Sequence, residues 1–200
     1  MNRYFVTGID TDAGKTIASA ILTEKLKADY WKPIQAGFPT DSDTIRSLVS
    51  KDINVLPEGI ILKAPMSPHA AAELEKINLQ ARDITIPKSQ KHNIIIEGAG
   101  GLMVPINSKE FVIEFAKQFD AEVILISRNY LGSINHTMLS IEYLKSNNYN
   151  IKGIIFNDTP NEATESFILN YSGLKCLGHI PKIENITPQA IHELGKNINI

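Results

Sequence analysis

Lysine, threonine and acidic residues recur in this chain beside glycines, each group directly after a short apolar run. The first is Gly8-Ile9-Asp10-Thr11-Asp12-Ala13-Gly14-Lys15-Thr16. Backbone amides in a glycine-bounded turn that opens a helix attract phosphate oxygens, because the amides lack helical acceptors and the helix dipole adds positive potential. Lys15 can reach the terminal phosphates of a nucleotide, and the Thr16 hydroxyl can ligate Mg²⁺. The common form of such a loop has four residues between its glycines; here there are five, Ile9 to Ala13. The competing reading is a glycine turn before an ordinary helix.

Four further groups obey the same rule. Lys32-Pro33-Ile34-Gln35-Ala36-Gly37 begins where Pro33 ends a strand for want of an N–H donor, so Lys32 is either a second cation at the phosphate crevice or a solvated strand-end charge. In Asp41-Ser42-Asp43 either carboxylate can be a Mg²⁺ ligand or a helix N-cap. Glu97 directly follows Ile94-Ile95-Ile96 and precedes Gly98-Ala99-Gly100-Gly101. A carboxylate there is costly unless paired, and a metal ion would pair it; the glycines bring bare amides close to a ligand. Leu131-Gly132-Ser133-Ile134-Asn135-His136 offers another helix start, and Asn157-Asp158 ends a buried strand, as a base-reading amide or as an Asx-turn.

The elements that must carry these groups alternate along the chain. Strands are expected at residues 4–7, 30–31, 94–96, 123–126 and 154–156, and a weaker one at 177–180; runs such as Val123-Ile124-Leu125-Ile126 lack polar alternation, as strands buried on both faces do. Helices are expected at residues 15–27, with Ile17, Ala18, Ile21, Leu22 and Leu26 on one face, and at 43–49, 69–75, 110–119, 133–145 and 162–169. This pattern predicts an α/β fold: one P-loop NTPase-type domain over residues 1–200, a mostly parallel sheet flanked by helices on both faces. Residues 51–93, broken by Pro57, Pro65, Pro68 and Pro87, are the least regular stretch. Hydrophobic residues at 43% supply a core, and a net charge of −2 argues against nucleic-acid binding by bulk charge. Cys176 is the sole cysteine, so neither an intrachain disulfide nor a thiolate metal cluster is expected. No apolar run reaches the ~20 residues of a membrane span, and the segment before Gly8 is too short for a signal-peptide core. A cytoplasmic protein without a membrane partner is the expectation.

Taken in order, the phosphate loop, Trp31-Lys32-Pro33-Ile34-Gln35, Asp43, Ser67-Pro68-His69, Glu97-Gly98-Ala99-Gly100-Gly101, the Leu131–His136 group and Asn157-Asp158 resemble the dethiobiotin synthetase family, over nearly the whole chain. The lengthened phosphate loop is itself a family trait. Ala36 departs from it, standing where the family carries Ser or Thr. The resemblance implies an ATP- and Mg²⁺-dependent ligase that joins CO₂, drawn from bicarbonate, to 7,8-diaminopelargonate and closes a cyclic urea. It implies Lys32, Lys15 and Thr11 as catalytic groups. Asp12, Ala13, Gly14, Lys15, Thr16 and Ile17 would hold the nucleotide's phosphates, with Asn157, Ile180, Pro181 and Lys182 about its base. Thr16, Asp43 and Glu97 would hold Mg²⁺. Lys32, Ala36, Gly98, Ala99, Gly100 and Gly101 would face the substrate, and Gly132, Ser133, Ile134 and Asn135 of the other subunit of a homodimer would bind its carboxylate. The alternatives are a partitioning or division-site ATPase acting by ATP-gated dimerisation, and a small-molecule kinase.

Overall fold

A computed structural model describes residues 1–89 and 91–200. In chain order its elements are β1 (Asn2–Gly8), α1 (Lys15–Leu26), β2 (Asp29–Trp31), β3 (Ile34–Ala36), α2 (Asp41–Leu48), β4 (Ile60–Leu62), α3 (Pro68–Leu74), β5 (Asn93–Gly101), α4 (Glu114–Gln118), β6 (Glu122–Arg128), α5 (Ser133–Ser146), β7 (Ile151–Asn157), α6 (Glu162–Ser172), β8 (Cys176–Ile180) and α7 (Pro188–Gly195). Six strands form one parallel sheet in the order β2-β5-β1-β6-β7-β8.

The apolar runs form strands because both faces of this sheet are covered. Ile94 and Ile96 point into one core with Phe5, Val123, Leu125 and Phe156, while Ile95 points into the other with Val6, Ile124, Ile126 and Ile155. The second core is closed by α1, α2 and α7, through Ile21, Leu22, Ile45, Leu48 and Ile191; the first is closed by α4, α5 and α6, through Phe115, Ile141, Leu144 and Ile168. Helix α1 is buried beyond the expected single face: Ser19, Thr23 and Glu24 are buried too, since α7 and α2 pack on it away from the sheet.

Several expectations need correction. The glycines after Glu97 are not a loop but the end of β5, where Gly101 pairs with Gly8 beyond a register shift. The helix expected at 110–119 begins only at Glu114. The Asn107 side chain accepts the Lys109 and Glu110 amides, and the Glu110 carboxylate caps the Ala81 amide, so local side-chain bonds displace the first helical turn. Residues 51–93 contain β4 and α3, and β3 pairs with β4 as a separate two-stranded parallel sheet. Helix α7 lies beyond the last expected element. It starts with Thr187 accepting the Ala190 amide and with proline in its first turn.

Glu24 ties α1 to the chain after α2. Burial works against its charge, but the Lys27 ammonium and the Ser50 amide and hydroxyl, both at 2.7 Å, more than offset this and hold its pKa below the ordinary 4.5. A carboxylate depressed by folding stabilises the fold above its unfolded pKa and loses that contribution as pH falls through the folded value. Glu24→Gln is therefore expected to cost about 1–2 kcal/mol at pH 7. Urea denaturation of both proteins should show that difference shrinking at pH 3.

Candidate active site

The functional groups converge at the carboxyl ends of β1, β2 and β5. After β1 the chain turns through residues 9–14 into α1, and the turn needs both glycines. A Cβ on Gly8 would lie 2.8 Å from the Ala13 Cβ and the Asp10 carbonyl. Gly14 has φ +94°, and a Cβ there would lie 2.1 Å from the Asn157 amide nitrogen. Lys15 Nζ folds over the loop and donates to the Asp10 and Thr11 carbonyls at 3.1 and 2.9 Å. Burial pushes its pKa down to about 8; Glu97 opposes this and Lys32 adds to it.

The parallel register of β2 on β5, with Trp31 opposite Ile96, sets Lys32 beside Glu97 one residue further on. Lys32 is 3% exposed and Glu97 1%. The Lys32 ammonium lies 3.2 Å from Glu97 Oε1 and 2.5 Å from Asp41 Oδ2. Burial penalises its charge, but Glu97 and then Asp41 more than offset the penalty and hold its pKa above the ordinary value. Thr16 Oγ1 lies 3.1 Å from Asp41 Oδ1 and 3.0 Å from Glu97 Oε1. Glu97 Oε2 accepts from the Tyr30 hydroxyl at 3.0 Å. Burial and then Glu97 drive the Tyr30 pKa well above its ordinary value, so the phenol stays a neutral donor.

These contacts bring together oxygens that could hold a hard cation. Thr16 Oγ1, Asp41 Oδ1 and Glu97 Oε1 converge, yet the one hydroxyl proton of Thr16 can satisfy only one of the two carboxylate oxygens at a time. Lys32 also donates to Glu97 Oε1, and converging hard oxygens of this kind could hold Mg²⁺, which takes one or two carboxylates and otherwise water and phosphate.

The carboxylate at this point is Asp41, not the expected Asp43. Asp43 turns outward, 61% exposed, and pairs with Arg46 at 2.7 Å. The approach of α2 explains the difference. Gln35 Oε1 accepts the Asp41 amide at 3.1 Å and Gln35 Nε2 donates to the Gly37 carbonyl at 3.0 Å, while Thr40 caps the Asp43 amide. That clamp aims the first residue of α2 into the cleft and the third away from it. Gln35 and Tyr30 are thus the site residues without an expected role, and Asp41 is the one of the two candidate carboxylates that enters the cleft. Tyr30 stands two residues before Lys32 on the same face of β2, which is the sequence signal that points to it.

A cleft of about 560 Å³ opens above this cluster, lined by Thr11, Asp12, Ala36, Ala99 and Gly100 as well as the charged groups. The Thr11 hydroxyl faces Gly100. A Cβ on Gly98 would meet Phe5 and Val112, while its carbonyl lies 3.5 Å from Lys32 Nζ, and Gly101 borders a separate depression beside His136. Ala13 is buried beneath the loop, and Ile17 is half-buried against the core of α1. Asn157 Nδ2 donates to the Ala13 carbonyl at 2.8 Å, which leaves its oxygen for a ligand. Ile180 is a core residue whose carbonyl accepts the Asp158 amide, so Pro181 and Lys182 are what remain exposed there. Gly132 to Asn135 line a different depression, next to Pro160 and Thr164, and do not join the cluster within this chain.

A family model described as an AAA domain matches residues 2–190. The chain is 49% identical over 193 residues to an ATP-dependent dethiobiotin synthetase of Cytophaga hutchinsonii, covering 96% of this chain and 94% of that protein. It is 51% identical over 180 residues to that of Christiangramia forsetii, covering 88% and 86%. Among solved structures, a ParA family ATPase from Chlorobium tepidum TLS superposes with a TM-score of 0.60 at 14% identity, covering 98% of this chain and 95% of that one. The cell division ATPase MinD of Pyrococcus furiosus does so with 0.55 at 17%, covering 98% of both. At such identities these two share the fold with this chain and nothing further.

Asp41 and Asp43 differ sharply in placement, and a binding measurement should separate them. In the presence of Mg²⁺, Asp41→Asn is expected to weaken ADP binding about tenfold or more, about 1.4 kcal/mol. Asp43→Asn should stay within twofold of the parent. Isothermal titration of both variants checks this; equal losses would return Asp43 to the metal site.

Proposed function

The chain belongs to the ATP-dependent dethiobiotin synthetase family, and from that membership we propose that its cleft carboxylates 7,8-diaminopelargonate and closes the ring through a carbamate and a carbamic–phosphoric anhydride. One amine of the diamine adds to CO₂ and loses a proton, giving a carbamate. A carbamate oxygen attacks the γ-phosphorus of ATP and ADP leaves. The second amine then attacks the carbamoyl carbon; phosphate leaves, a proton is lost, and the cyclic urea is complete. No protein nucleophile takes part, so positioning and charge stabilisation are what the protein must supply.

The observation that carries this reading is Lys32, an ammonium buried between Asp41 and Glu97 on the cleft floor beside the phosphate loop. From there it meets carbamate and γ-phosphate together and lowers their repulsion in a site where water screens poorly. Lys15, freed from the loop carbonyls, neutralises charge on the transferring phosphoryl group. Thr16, Asp41 and Glu97 would hold Mg²⁺, which would supply positive charge against the transferring phosphoryl group. Thr11 donates to the carbamate from the opposite wall, with the Ala99 and Gly100 backbone beside it. Ala36 leaves open the space that a hydroxyl side chain would fill. Asn157, Pro181 and Lys182 border the nucleotide base.

Gly132, Ser133, Ile134 and Asn135 serve the substrate carboxylate from the partner subunit of a homodimer. This is supported by their position at the start of the 14-residue α5, where the Ser133 amide is spent on the Tyr130 carbonyl but Ile134 and Asn135 follow in the first turn, and by the complete exposure of Leu131 in the single chain. The partitioning-ATPase alternative is not favoured, because sequence identity runs to the synthetases while the ParA and MinD structures share only the fold.

Phosphate release from ATP is expected to require both the diamine and bicarbonate; release indifferent to either would sink the proposal. Lys15→Gln should weaken ATP binding with or without the second substrate. Lys32→Gln should leave ATP binding within a few-fold yet slow diamine-dependent phosphate release by about 10²–10³. If titration showed Lys32→Gln losing ATP as badly as Lys15→Gln, Lys32 would be a phosphate ligand and not the bridge between the two anions.

A further inference from the structure

Tyr30 has no part in the reaction itself, yet it makes the contact that decides how Glu97 is presented. Glu97 Oε1 faces Thr16 and Lys32 at 3.0 and 3.2 Å, whereas Oε2 accepts from the Tyr30 hydroxyl at 3.0 Å. Both residues are buried, at 0% and 1% exposure, so bulk water does not replace that donor. We infer that Tyr30 is a positioning residue for the divalent cation: its phenol fixes the rotation of the Glu97 carboxyl so that Oε1 is turned toward Thr16 and Asp41. The inference rests on the metal site formed by those three residues.

The terminal torsion of a glutamate is broad and nearly two-fold, so the carboxyl group itself has little preference between rotations. Lys32 does not set it alone, because its ammonium is shared with Asp41 at 2.5 Å. Thr16 does not set it either, because its single proton is contested by the same two carboxylates. Tyr30 differs from both. Its ring belongs to the apolar core that includes Val6, Ile21, Leu22 and Ile45, its backbone is pinned to Asn54 and Leu56, and its hydroxyl has one acceptor. A rigid ring rising from the core is a fixed donor; a lysine and a threonine at the cleft floor answer to whatever binds there. Groups that orient metal ligands in this way commonly alter metal affinity about 10–100-fold when lost.

The test is ADP titration into the wild type and Tyr30→Phe, once with excess Mg²⁺ and once with EDTA, with Mn²⁺ binding followed by electron paramagnetic resonance. The expected result is a loss of about tenfold in the gain that metal confers on ADP binding and in Mn²⁺ affinity, with metal-free ADP affinity unchanged. The Mg²⁺ concentration for half-maximal phosphate release should rise correspondingly. Added to Glu97→Gln, Tyr30→Phe should change metal affinity no further. An unchanged metal gain, or an equal loss of metal-free binding, overturns the inference. If Tyr30→Phe alone does not fold, folding of Tyr30→Phe in the Glu97→Gln background identifies the unpaired carboxylate as the cause and supports it; failure of both makes Tyr30 a core residue only. A wild type that binds Mg²⁺ and ADP but releases no diamine-dependent phosphate refutes the synthetase mechanism while leaving the Tyr30 result readable.

Discussion

An ammonium removed from water needs acceptors that replace its hydration, and the Lys32 pairing with Asp41 and Glu97 is the constraint around which the cleft is built. Removing one member of a buried ion group leaves an uncompensated charge, a cost of about 3–5 kcal/mol, so the three elements that supply the group are tied to one another. Each then has its own dependants. Glu97 requires β5 to pair with β2 in this register. Asp41 requires α2 to enter at the angle that Gln35 and Gly37 set. Lys32 requires its strand to stop at Pro33.

The same group explains how the site can be charged and yet ready. Two ammoniums, Lys15 and Lys32, stand against Asp41 and Glu97 in the cluster, and Asp12 adds a third carboxylate to the cleft lining. Lys15 keeps its donors on loop carbonyls, which are exchangeable acceptors, while Lys32 is held by full charges. The first is poised to move to a ligand and the second to stay in place. Preorganised charge of this kind loses little in reorganisation when negative charge develops.

Much of this was legible in the sequence, for reasons that can be named. The strands read clearly because both faces of the sheet are covered, so Ile94-Ile95-Ile96 and Val123-Ile124-Leu125-Ile126 carry no polar residue to blur them. The phosphate loop read clearly because its chemistry is local. The choice between Asp41 and Asp43 was not local. Two residues apart in a helix they point about 200° from one another, and which one enters the cleft depends on the helix's direction of approach. In a three-residue strand only its two-residue spacing from Lys32 marks Tyr30, and β3 and β4 are equally short and lie among prolines. The α7 start, Thr187 then Pro188, does carry a helix signal, but the helix it opens is short.

The pairing of β3 with β4 outside the main sheet divides the cleft between walls carried by two separate sheets. One wall, with the phosphate loop and Glu97, hangs on strands that run through the centre of the molecule. The other, with Ala36 and Gly37, hangs on a ribbon three residues long that shares no ladder with them. Side-chain exchange at Ala36 leaves β1 and β5 in register, whereas a shift of Gln35 or Gly37 would re-aim Asp41. Descendants of this chain can therefore diversify the shape of what they accept at Ala36 only while Gln35 and Gly37 stay where they are.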